Sequence, residues 1–136
     1  MYELLPHTDD IRIRATGATL EELFLNAARG MMSVIRKDHE RLDPDPKRKR
    51  SFRISSLDRE TLLIEFLSEL LAMIDTENEL YPTLTITELH ERRLRAEGVG
   101  APVDAFDEDV KAVTYHDLAI TEHPDGTYET TITLDV

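Results

Sequence analysis

Tyr128-Glu-Thr130-Thr-Ile132-Thr-Leu134-Asp-Val136 alternates polar and apolar residues without a break, the period of a half-buried β-strand. Pro124-Asp-Gly126 just before it is a turn sequence. The segment before the turn, Val110 to Ile120, is rich in β-formers, so 112–120 and 127–136 read as an antiparallel hairpin. The inward positions of 110–120 are Val113 and Tyr115, then Leu118 and Ile120. That slip of phase predicts a bulge near His116-Asp117. A strand reaching Val136 is expected to hold the last carboxylate in the fold beside the Asp135 side chain. Clustered oxygen donors of this kind suit a hard divalent cation.

Working back toward the start, Ile11, Ile13 and Ala15 alternate with Arg12, Arg14 and Thr16, a second half-buried strand. Thr19-Leu-Glu-Glu22 has the form of a capping box. Leu20, Leu23, Phe24, Ala27, Met31, Val34 and Ile35 follow at helical spacing. Residues 37–50 form a charged connection holding Asp43-Pro-Asp-Pro46 and Lys47-Arg-Lys-Arg50. The basic tetrad fits a solvated lead into a strand better than a nucleic-acid patch. Phe52 and Ile54 mark that strand. Asp58 caps a helix whose body, Leu62 to Ile74, is apolar over most of its circumference, which predicts a largely buried helix. Leu84 and Ile86 mark a third strand, and Leu94 and Ala96 a fourth ending at Gly98. An acidic connection runs from there to Asp109. Two helices and about six strands give an α+β fold. The expectation is one domain over 1–136, with a mainly antiparallel sheet and both helices on one face.

Composition narrows the function. Net charge is 16 − 28 = −12, which disfavours strong direct binding to nucleic acid and favours cations and basic protein surfaces. There is no cysteine, hence no disulfide and no thiolate chemistry. No apolar run reaches the ~18 residues of a membrane span, and Met1-Tyr-Glu-Leu-Leu-Pro6 is not a signal peptide. A cytoplasmic protein is expected. The five glycines are isolated, so no phosphate loop is present. No Gly-x-Ser-x-Gly elbow occurs either.

Two sets of residues carry chemistry. Asp10, in His7-Thr8-Asp9-Asp10-Ile11, would complete a cation site with Asp135 and Val136 if the two ends of the chain meet. Spacing alone favours a plainer reading, in which Asp10 caps a turn and Asp135 is a surface residue. His7 and His116 are candidates for acid–base work or for ligating a softer metal, although single histidines near strand ends more often serve as hydrogen-bonding residues.

Three segments then resemble one family. His7-Thr-Asp-Asp-Ile11 resembles the His-Thr-Ala-Asp-(Ile/Val) signature of archease. Lys111-Ala-Val-Thr-Tyr-His116 resembles its Lys-Ala-Val-Thr-Tyr-His strand, and Leu134-Asp-Val136 its apolar-Asp-(Val/Ile) end. Thr19-Leu-Glu-Glu22 with Asn26-Ala-Ala28, and Leu62 to Leu71, fit its two helices, so the likeness spans essentially the whole chain. The resemblance implies a non-catalytic accessory protein of an RtcB-type RNA ligase. That ligase joins a 3′-phosphate or 2′,3′-cyclic phosphate end to a 5′-hydroxyl using GTP and Mn²⁺, in tRNA splicing and RNA repair. The accessory protein promotes guanylylation and repeated turnover. The resemblance also implies a metal site of Asp10, Asp135 and a main-chain oxygen of Val136, with Ca²⁺ the usual ion and Mg²⁺ or Mn²⁺ as alternatives. Two positions depart from the pattern. Asp9 stands where the family has Ala, and Val99 follows Gly98 where an acidic residue is common, so that contributor is either missing or displaced to Asp104. A free-standing metal-dependent hydrolase using Asp10, Asp135 and a histidine is a competing reading, as is a general chaperone or interaction module.

Overall fold

The computed structural model describes residues 1–5, 10–114 and 118–136. Strands β1 (Tyr2–Leu5) and β2 (Ile11–Gly17) lead into helix α1 (Leu20–Ile35) and a 3-10 turn at His39–Arg41. Strand β3 (Lys49–Ser55), helix α2 (Arg59–Glu77), and strands β4 (Glu79–Leu89) and β5 (Arg93–Pro102) follow. The chain closes with β6 (Ala112–Thr114), β7 (Thr121–Glu122) and β8 (Tyr128–Asp135).

The fold is α+β, as the patterning predicts, with the strands divided between two antiparallel sheets. One has the order β1-β2-β8-β6, with β7 also paired to β8; the other is β3-β5-β4. Both helices touch both sheets. In α1, Leu23, Phe24, Ala27, Met31 and Ile35 are buried, and the Thr19 hydroxyl accepts from the Glu22 N–H at 3.1 Å. The Asp58 carboxylate accepts from the Thr61 N–H at 2.8 Å at the start of α2, and Asn78 ends that helix in the left-handed conformation at φ 53°. The α2 residues Leu62, Leu63, Ile64, Phe66, Leu67, Leu70 and Ile74 are fully buried, which explains its weak amphipathicity: sheets flank it on more than one side. Phe24, Phe66, Phe52 and Tyr81 form a chain of aromatic contacts with centroids 5.7 to 6.5 Å apart, each worth ~0.5–1.5 kcal/mol beyond its buried area.

Three features go beyond the sequence reading. First, β1 is an additional edge strand, paired to β2. Second, the fourth expected strand continues past Gly98 to Pro102. Its glycines serve close packing: a Cβ at Gly100 would lie 2.4 Å from the Glu79 carboxylate. Glu79 is fully buried and receives bonds from Arg48 Nη1 (2.9 Å), Arg50 Nε (2.8 Å), Arg50 Nη2 (3.0 Å) and the Tyr81 hydroxyl (2.7 Å). Burial alone would push this carboxyl up, but the bonds from Arg50, Tyr81 and Arg48 outweigh it and hold the group below its ordinary range. Half of the basic tetrad is thereby anchored to an internal carboxylate.

Third, the partner of β8 in the expected hairpin is split into β6 and β7. Thr114 pairs with Thr133 and Thr121 with Glu129. Seven steps on one side match four on the other, so three extra residues are accommodated there. This odd number flips the phase, as the Val113/Leu118 pattern requires. His116 and Asp117, where the bulge was placed, lie outside the described residues.

Candidate metal centre

The β2–β8 register brings the two ends of the sequence together. Ile11 pairs with Leu134, Ile13 with Ile132 and Ala15 with Thr130. These residues face the core, where Ile13, Ala15, Ile132 and Leu134 are buried. Directly opposed residues share a face; Asp135 follows Leu134 on the solvent face of β8, and Asp10 directly precedes β2 at the same end of the sheet. Opposed positions stand ~4.5–5.5 Å apart at Cα. Asp135 is exposed and Asp10 partly buried. The Lys111 N–H donates to the Asp135 carbonyl at 2.7 Å, and Val136 packs against the core. These contacts fix the backbone around Asp135 from both sides.

Carboxylate and main-chain oxygens near one another are hard donors that suit a divalent cation. The chemistry of the donors therefore fits a Ca²⁺-, Mg²⁺- or Mn²⁺-type ion, with the Asp10 and Asp135 carboxylates and a main-chain oxygen of Val136 as the residues able to hold it. Among the described residues no three His, Cys, Asp or Glu side chains gather at ligand spacing. His7, Asp9 and His116 lie outside the described residues. Asp104 falls elsewhere, in an acidic group around Arg36 past the end of α1. There Asp38 accepts from Arg36 at 2.8 Å, and Asp107 and Asp104 add to the field that, after the Asp38 bond, raises the guanidinium's proton affinity.

One row further along the same face stand residues that spacing did not single out. Arg12, Thr133 and Thr114 are opposed in register across β2, β8 and β6. The strict alternation of β2 and β8 puts Arg12 and Thr133 on the side of Asp10 and Asp135. Recognising the row needed the strand order, which no local pattern encodes.

The model of the archease protein family (MTH1598/TM1083) matches residues 2–136. The chain belongs to the archease family. It is 35% identical over 133 residues to the protein archease of Methanosarcina barkeri, covering 92% of this chain and 89% of that protein. It is 36% identical over 135 residues to the protein archease of Thermococcus gammatolerans, covering 92% and 91%. Its fold matches the solution structure of Methanobacterium thermoautotrophicum protein 1598 with a TM-score of 0.80 at 31% identity, over 99% of this chain and 98% of that one. A Thermotoga maritima crystal structure, described as an archease and possible chaperone, shares the fold with a TM-score of 0.66 at 18% identity, over 100% and 98%. No helix among the described residues of this archease-family chain is long and apolar enough to cross a membrane.

Proposed function

We propose that this chain is a non-catalytic accessory factor of an RtcB-type RNA ligase. The end of the five-stranded sheet carrying Asp10, Asp135 and Val136 holds a divalent cation, Ca²⁺ by family resemblance. It carries that ion to the ligase active site, where it promotes guanylylation and turnover in tRNA splicing or RNA repair. The observation that supports this reading is the β2–β8 register, which pairs Ile11 with Leu134, the neighbours in sequence of Asp10 and Asp135. Family membership supplies the partner class. The net charge of −12 suits docking onto a basic, phosphate-handling surface.

The test is the rate of ligase guanylylation with GTP and Mn²⁺. The protein should accelerate it, and Asp10→Ala and Asp135→Ala should lose the acceleration while keeping the native melting profile. Full acceleration by both variants sinks the reading. The chaperone description of the Thermotoga protein suggests a second reading, general binding of unfolded chains. Such binding needs apolar surface, and the exposed large apolar side chains among the described residues are Met1, Leu4 and Leu57. Suppression of aggregation of unrelated unfolded proteins by substoichiometric amounts would favour that reading instead.

A further inference from the structure

The outward face of β2 carries two arginines with different fates. Arg14 is ion-paired to Glu3 across the β1–β2 ladder. Arg12 has no ion pair among the described residues, in a chain where acidic residues outnumber basic ones by 28 to 16. Its neighbour on β1 is Leu5, which offers no side-chain acceptor. Its Nε is buried and finds no hydrogen-bond partner among the described residues. Two strands away in the same cross-strand row, the Thr114 hydroxyl is also buried and without a partner among the described residues. Thr133 stands between them. A buried polar atom left unsatisfied is costly, and more so on a charged group. Two in one row, flanking the Thr133 hydroxyl, form a line of donors in search of an acceptor.

That row lies next to the Asp10–Asp135 row. Adjacent strands are ~4.8 Å apart, and successive residues on one face ~6.8 Å apart along a strand. A group bound to a cation over the first row is therefore within reach of an arginine side chain in the second. We infer that Arg12, Thr133 and Thr114 form an anion subsite that receives a phosphoryl group chelated by the cation at Asp10 and Asp135. The inference rests on the cation reading given above. A guanidinium and two hydroxyls offer several donors to the several oxygens of one phosphoryl group. Without the cation, the two carboxylates repel the same group. Phosphate and cation must accordingly bind together, each tightening the other by the same factor.

The experiment measures Mn²⁺ binding to the full chain by electron paramagnetic resonance, with and without inorganic phosphate. For the wild type, phosphate should tighten Mn²⁺ binding roughly tenfold, the scale of one charge-assisted hydrogen bond. Arg12→Gln should reduce that effect to under about twofold. It should leave binding of Mn²⁺ alone unchanged or tighter, since a nearby positive charge is gone. Thr114→Val should weaken the phosphate effect without changing binding of Mn²⁺ alone. An unchanged melting temperature shows that each variant folds.

If Mn²⁺ binds and phosphate changes nothing, or Arg12→Gln keeps the full effect, the subsite is refuted while the cation reading stands. If Mn²⁺ binds neither with nor without phosphate, both fall. Competition then distinguishes the sources of the phosphoryl group. Displacement of phosphate by a nucleoside triphosphate, or by a 3′-phosphorylated oligoribonucleotide, supports the subsite and names the source. Displacement by neither marks an adventitious ion only and overturns the inference.

Discussion

Gly100→Ala should be among the most destabilising single-methyl additions in this fold. A Cβ at Gly100 would lie 2.4 Å from both Cδ and Oε2 of Glu79, well inside contact distance. The carboxylate cannot withdraw without breaking bonds from Arg48, Arg50 and Tyr81. Overpacking costs ~1–3 kcal/mol, and disrupting even one bond to a charged group adds ~1.5–3 kcal/mol. The sum spans about 2.5–6 kcal/mol; with partial relaxation of the carboxylate we expect about 3–4 kcal/mol, which lowers the melting temperature by roughly 10 °C for a chain of this size. Glu79→Ala alone should cost about 3 kcal/mol, the low end for breaking a buried pair, because Arg48 and Arg50 are 34% and 25% exposed and water can reach them. In the Glu79→Ala background the obstruction is gone, and Gly100→Ala should cost less than about 0.5 kcal/mol. The coupling between the two sites is then about 3 kcal/mol, far outside additivity. Urea denaturation of the four proteins of the cycle measures it. Additive effects, or a Gly100→Ala protein within about 1 kcal/mol of wild type, would refute the assignment of Gly100 to this packing role.

Four further outcomes are expected. His39 is buried and neither ring nitrogen has a hydrogen-bond partner among the described residues. Burial pushes its pKa below 6.5 despite the opposing pull of Glu40. Below 6.5 the unfolded chain therefore takes up a proton that the folded chain refuses. Stability should fall as pH drops from that value toward the folded one, and His39→Leu should flatten this part of a stability–pH curve from urea melts. Asp58→Ala removes the acceptor of the Thr61 N–H at the start of α2 and should cost about 1 kcal/mol, read by the same melts. Asp135→Asn should abolish stabilisation by added Ca²⁺ or Mn²⁺ in a thermal-shift assay, because it removes one of the carboxylate donors. Thr19→Ala should cost about 1 kcal/mol by removing the α1 cap, with denaturant slope unchanged.

The legible parts of the fold were those set by local rules. The alternation of Ile11, Ile13 and Ala15 and the spacing from Leu20 to Ile35 each produce one element whatever lies beside it. Thr19 and Asp58 announced the helix starts by side-chain chemistry alone. Division into two sheets was not legible, because alternation states which face of a strand is buried and not which strand lies next to it. Tyr2–Leu5 is too short to carry a period. The continuation of β5 through Gly98 and Gly100 was hidden because glycine within a strand usually marks its end. Here Gly98 packs against Tyr81 and Gly100 against Glu79, contacts made by a strand far from neither in space but invisible to spacing. Asp10 and Asp135 stood out as oxygen donors near the two chain ends and again through family motifs, whereas the pairing of β2 with β8 that brings those ends together was not legible. Arg12 and Thr114 gave no sequence signal, since an outward arginine and an outward threonine are ordinary strand residues until the register aligns them.

The central claim, that the sheet end bearing Asp10 and Asp135 activates an RNA ligase, is tested most directly by multiple-turnover ligation. An RtcB-type ligase that responds to its own partner is given excess RNA carrying 3′-phosphate and 5′-hydroxyl ends. It is assayed alone, with this protein, and with the Asp10→Ala/Asp135→Ala variant. The account predicts many ligated products per ligase molecule with the wild-type protein, and no more than the ligase alone achieves with the variant. Equal product from the wild type and the variant would contradict the role of the site, and no stimulation by the wild type would contradict the function itself.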